Sequence, residues 1–116
     1  MRELPLTVTA APGSGEGITV LALHGPLTLQ NSFEFQSDLA QHKPAVLIID
    51  LTDSPYMDSA GLGLLMNCYV SAEKNGRKLL LAGVNERIHA LLQMTKVDRI
   101  LKNYATVAEA EASVHA

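Results

Sequence analysis

The residues Ala45-Val46-Leu47-Ile48-Ile49 form an unbroken apolar run, stopped by Pro44 on one side and Asp50 on the other. A strand with one wet face alternates apolar and polar residues, so a run without alternation predicts a strand covered on both faces, as in a parallel sheet flanked by helices. Lys78 to Ala82 repeats the pattern. Between the two, Leu62, Leu65, Met66 and Tyr69 recur at i, i+3, i+4 and i+7, which is one face of a helix, and Asn75-Gly76 ends it with the residue that tolerates the left-handed conformation. Parallel neighbours need a crossover of this kind. The chain is therefore confined to an α/β layer fold with Ala45–Ile49 at the centre of the sheet.

The flanks complete the pattern. Leu4–Ala10 and Ile18–Leu23 read as strands of a hairpin across the glycine-rich loop Ala11–Gly17, and His24-Gly25-Pro26 ends the second strand. Asn31–His42 reads as a helix in which Phe35 aligns with Leu39, and Leu29, Phe33 and Ala40 share a face, with Asn31 or Ser32 as its cap and Pro44 as its stop. Asn85 caps a third helix that turns Ile88, Leu91 and Leu92 inward. A short strand over Lys102–Tyr104 follows, and Thr106-Val107-Ala108-Glu109 is a capping box that opens a last helix ending near Ser113. The order is ββαβαβαβα: one domain, residues 1–116, with helices packed on a mixed sheet whose later strands are parallel.

Composition removes several functions. The 9 Lys and Arg against 12 Asp and Glu give a net charge of −3, opposite to the basic footprint of a nucleic-acid binder. The single cysteine, Cys68, can form neither an internal disulfide nor a thiolate metal cage, which suits a reducing compartment, and in mid-helix it reads as a small apolar residue. No apolar run is long enough to span a bilayer, and Met1–Pro5 lacks the apolar stretch of a signal peptide, so the expectation is a cytoplasmic chain without membrane insertion. His24, His42, His89 and His115 have no companion pattern and read as surface or turn residues. Asp50, Asp53 and Asp58 offer oxygens to a divalent cation but read more simply as turn and helix caps, so neither metal nor cofactor is expected. Ser59-Ala60-Gly61 supplies half of a Gly-x-Ser-x-Gly hydrolase motif, with Met57 where the first glycine belongs. Gly61-Leu62-Gly63 supplies two of the three glycines of a dinucleotide motif, with Met66 in place of the third.

The most informative segment runs from Tyr56 to Leu65. Ser59 falls at the start of the second helix, where its hydroxyl is placed to cap, a role whose loss to Ala costs about 1 kcal/mol. Capping leaves Gly61 and Gly63 unexplained, because each glycine costs up to about 1 kcal/mol relative to Ala inside a helix. Bare backbone in a first turn lets another chain or a phosphate approach, and the free N–H groups with the helix dipole favour negative charge.

Taken with Gly25-Pro26-Leu27, Val46-Leu47-Ile48-Ile49-Asp50-Leu51 and Leu91-Leu92-Gln93-Met94-Thr95, the segment Met57-Asp58-Ser59-Ala60-Gly61-Leu62-Gly63 resembles the signature of STAS domains, above all bacterial anti-sigma factor antagonists, and the resemblance covers nearly the whole chain. It implies a STAS-like fold and a regulatory binding module, not an enzyme, that sequesters an anti-sigma factor. It further implies that Ser59, directly after Asp58, is phosphorylated by that partner, a serine kinase of the GHKL ATPase fold, and that a PPM-type phosphatase resets the switch. The implied partner-binding residues are Met57, Asp58, Ser59, Ala60, Gly61 and Leu62, joined by Thr28. Thr28 stands where phosphorylated antagonists usually carry Asp after the Gly-x-Leu. The alternative within the same family is a constitutive docking subunit of a stress-signalling assembly or of a lipid ABC transporter, with no phosphate involved.

Overall fold

The computed structural model describes residues 5–115, the side chains of Glu34, Ala40 and His115 excepted. The elements run β1 Thr7–Pro12, β2 Ile18–His24, α1 Ser32–Gln41, β3 Val46–Asp50, α2 Ser59–Lys74, β4 Lys78–Ala82, α3 Glu86–Met94, a 3-10 turn at Val97–Arg99, β5 Asn103–Tyr104 and α4 Val107–His115. The strands lie side by side in chain order, β1 antiparallel to β2 and every later pair parallel. That is the expected mixed sheet, and β3 sits at its centre.

The unbroken apolar run has the predicted cause. Ile48 and Ile49 are both fully buried, and they serve different clusters because successive side chains on a strand point to opposite faces. On one face Leu21, Leu47, Ile49, Leu79 and Leu81 meet Phe35 of α1, Leu62 and Leu65 of α2, and Ile88 and Leu92 of α3. On the other, Ile48, Leu80 and Ala82 meet Ala110 of α4. No helix among the described residues is long and apolar enough to cross a membrane.

The differences from expectation are local. β1 occupies Thr7–Pro12 instead of Leu4–Ala10, Leu4 lying outside the described residues. Pro12 is tolerated as a strand residue because β1 is an edge strand. The α1 face is also revised. Phe35 is fully buried and Leu39 packs against the core, whereas Leu29 and Phe33 are 71% and 76% exposed. Leu29 precedes the helix, and Phe33, two residues before Phe35, lies about 200° away around the axis. Asn31 is the N-cap residue of α1, but its side chain makes no capping hydrogen bond: its amide donates to the Pro26 carbonyl (3.2 Å), and the Ser32 hydroxyl, already in the helix, donates to the Leu29 carbonyl (3.0 Å). Asn85 does cap α3, its Oδ1 accepting from the Ile88 N–H at 2.9 Å. At α4 the Thr106 hydroxyl accepts from the Glu109 N–H (3.1 Å), but the Glu109 carboxylate reaches the N–H of Ala105 (3.2 Å), one residue before the cap.

The strand pairing continues past the sheet and builds the site. Beyond β2 and β3 the two chain segments stay parallel, with Gly25 N–H donating to Asp53 C=O (3.2 Å), Leu27 N–H to Tyr56 C=O (3.1 Å) and Asp58 N–H to Leu27 C=O (3.2 Å). Gly25 takes φ +126°, and a side chain there would strike the Pro5 carbonyl. The result sets the entry to α1 beside the first turn of α2.

Candidate functional site

The first turn of α2 is organised by Asp58. One carboxylate oxygen accepts from the Gly61 N–H at 2.9 Å and caps the helix; the other accepts from the Leu29 N–H at 3.1 Å and fastens the β2–α1 connection to it. The cap is therefore Asp58 and not Ser59, which is the first helical residue. Released from capping, the Ser59 hydroxyl has no hydrogen-bond partner among the described residues, and the side chain is exposed. A nucleophilic oxygen lies open to solvent at the positive end of a 16-residue helix dipole.

The glycine pair separates into two cases. A Cβ on Gly61 would collide with the carbonyl oxygen of Leu27, so the chain that comes close at Gly61 is this protein's own β2–α1 connection. Gly63 is exposed and a Cβ there meets nothing within 4 Å, so it answers no close approach within the chain. The expectation that both glycines admit an outside group is corrected at Gly61.

The residues anticipated as a contact surface divide by burial. Ser59 is exposed and Asp58 and Ala60 are half-buried, whereas Met57 and Leu62 are core side chains and Gly61 is buried. Thr28 is 5% exposed, and its hydroxyl is buried without a partner among the described residues, as is that of Ser54. These four residues, Met57, Gly61, Leu62 and Thr28, shape the site from beneath and present little to a partner. Leu29, whose N–H meets Asp58, is exposed instead, as is Phe33 of α1. A shallow depression of about 370 Å³ lined by Thr28, Leu29, Gln30, Tyr56 and Asp58 adjoins the Ser59 turn. Tyr56 at its wall carries the Arg87 guanidinium 4.8 Å over its ring. The signal for Leu29 was the backbone: its amide needs an acceptor, and the only sign in the sequence was an acidic residue at the helix start.

Several other titratable residues are engaged locally. The Asp50 carboxylate accepts from the Thr52 N–H (3.0 Å) and hydroxyl (2.6 Å). Asp53 meets His24 Nδ1 at 2.9 Å, and the opposite ring nitrogen of His24 meets the Thr9 hydroxyl at 2.8 Å. This hydroxyl–imidazole–carboxylate chain, absent from the sequence reading because its members are 15 and 29 residues apart, is solvent-exposed and joins β1, β2 and the loop after β3. His115's side chain lies outside the described residues. Cys68 is half-buried, and burial pushes its thiol up to about 11, which keeps it neutral. Tyr69 is shifted upward by its hydrogen bond with Glu73.

A mixed five-stranded sheet, helices on both faces, and an uncapped serine opening the helix after the central strand define one kind of domain. The STAS domain model matches residues 14–110, and the chain belongs to that family. It is 30% identical over 100 residues to a Thermotoga neapolitana protein provisionally named an anti-sigma factor antagonist, covering 82% of this chain and 88% of the other. The solved structure of a Thermotoga maritima protein with the same provisional name matches at TM-score 0.84 and 25% identity, over 94% of this chain and 95% of that one. The fold is also that of the Bacillus anti-sigma factor antagonist SpoIIAA. Its unphosphorylated form gives TM-score 0.76 at 18% identity, over 94% of this chain and 96% of that one. Its phosphorylated form gives TM-score 0.71 at 18% identity, over 93% of this chain and 99% of that one.

Proposed function

We propose that this protein is an anti-sigma factor antagonist: a cytoplasmic, non-catalytic module that binds an anti-sigma factor through the Ser59 turn and is switched off by phosphorylation of Ser59. The observation that carries the reading is the state of that hydroxyl, exposed, unbonded and relieved of capping by Asp58. The partner in this scheme is also the serine kinase, of the GHKL type, and a PPM-type phosphatase restores the active form.

The switch follows from charge. A phosphate adds about −1.5 to −2 at neutral pH. At a helix N-terminus that charge is favoured by roughly 0.3 to 2 kcal/mol, so the domain tolerates it. In an interface it must shed water beside the Asp58 carboxylate, and a buried, uncompensated charge costs roughly 3 to 5 kcal/mol. At about tenfold in affinity for each 1.4 kcal/mol, the complex weakens a hundredfold or more while its host stays folded.

The test is incubation with ATP and the anti-sigma kinases of its own cell, with the modified residue located by mass spectrometry. Phosphate is expected on Ser59, and Ser59→Asp should weaken the partner complex while leaving the melting temperature nearly unchanged. Tight binding of Ser59→Asp to that partner would refute the switch. Recovery of the chain with a transporter ATPase or a large assembly would favour the docking-subunit alternative.

A further inference from the structure

We infer that the cavity between the second half of α2 and the leading ends of β3 and β4 is a binding site for a small monocarboxylate whose apolar body is about the size of one aromatic ring. It is independent of the Ser59 site: Cys68, in its wall, lies nine residues further along α2, about 14 Å by helical rise.

Three features converge on that ligand. The floor is apolar, formed by Leu39, Leu47, Cys68, Ala72 and Leu79, and its one ionisable member stays neutral because burial raises the Cys68 thiol. The charge around it is cationic. Lys43, Arg77 and Lys78 line the cavity and no Asp or Glu does, in a chain whose net charge is −3. Arg77 is half-buried, yet its guanidinium has neither ion pair nor hydrogen bond among the described residues. Its main chain is anchored, the N–H donating to the Ala72 carbonyl at 2.8 Å, so the side chain starts from a fixed point at the edge of the cavity. A guanidinium presents a planar fork of donors that fits a carboxylate in bidentate fashion, and partial desolvation strengthens the pair. The volume, about 200 Å³, exceeds the roughly 150 Å³ apolar cavity that is known to take up benzene. A ring fits, and a carboxylate on it reaches the rim.

The experiment is a titration of the uniformly 15N-labelled full chain with phenylacetate, followed by amide shifts, beside the uncharged isostere phenylacetamide. Phenylacetate should produce saturable shifts confined to residues 39–47, 67–72 and 77–79, and phenylacetamide should bind at least tenfold more weakly. Arg77→Gln keeps the backbone bond and should weaken phenylacetate at least tenfold; Lys43→Gln, at an exposed position, should weaken it by a smaller factor. Equal affinity for acid and amide, unchanged affinity in Arg77→Gln, shifts centred on the first turn of α2, or no saturation would each overturn the assignment. Since phosphorylation of Ser59 plays no part in the titration, its outcome and that of the switch are read separately.

Discussion

Two adjacent residues, Asp58 and Ser59, divide between them work that either could do. Both types are favoured helix caps, and what decides is the second hydrogen bond of Asp58, to the Leu29 N–H twenty-nine residues away in the chain. Asp58→Ala should therefore cost about 1 to 2 kcal/mol in urea unfolding, since it removes the cap and strands a second amide. Ser59→Ala should stay within about 0.5 kcal/mol of wild type, as for any exposed side chain without a partner. The reverse ranking would restore Ser59 as the cap. Cys68 offers a second check at this scale. At pH 8 a thiol titrating at about 11 holds about a hundredfold less thiolate than one at 9.0, so alkylation by iodoacetamide should be slower by about that factor and accelerate as the pH rises toward 11. The sign for stability follows. The neutral thiol's contribution is complete below pH 9, the unfolded value, and is lost as the pH climbs through the folded one.

At the scale of elements, α2 is defined as much by what lies against it as by its own propensity. Gly61 is required by the Leu27 carbonyl, so Gly61→Ala should destabilise by about 1 to 3 kcal/mol despite the better helix former, as overpacking does. Gly63 meets no such neighbour, and Gly63→Ala should stabilise by about 0.5 to 1 kcal/mol in the same unfolding assay. Opposite signs two residues apart test whether the β2–α1 connection, and not an outside ligand, sets the first glycine. The elements themselves were legible because each carries a periodicity: unbroken apolar runs for β3 and β4, a 3.6-residue stripe for α2, Asn85 and Thr106 as caps. The close approach at Gly61 was not, since two glycines at i and i+2 look alike until the partner segment is in place. The α1 face was misread for a related reason: Leu29 precedes the helix, and of the two stripes that share it the one through Phe35, not the one through Phe33, meets the sheet.

Across the whole molecule, burial and exposure fall to different side chains of one short region. Met57 and Leu62, which the motif puts next to Ser59, belong to the core under the sheet's end, while Leu29 and Phe33, which the motif does not contain, stand in solvent. A motif fixes which residues are near the serine but not which way they point. That distinction came only from the paired segments Gly25–Leu27 and Asp53–Asp58, which fasten one side of the site to the other. The division makes a prediction that a purely structural role for this region would not. Leu29→Ala and Phe33→Ala remove apolar area already exposed in the free protein, so each should leave unfolding within about 0.5 kcal/mol. If a partner docks on the Ser59 face and that face extends to the start of α1, losing Leu29 or Phe33 should weaken binding tenfold or more by calorimetry, the scale of a central interface residue. Met57→Ala and Leu62→Ala should do the opposite, costing about 2 to 5 kcal/mol of stability as buried large-to-small changes. Should Leu29→Ala and Phe33→Ala bind the unphosphorylated chain's partner as tightly as wild type, the docking face does not extend to the start of α1.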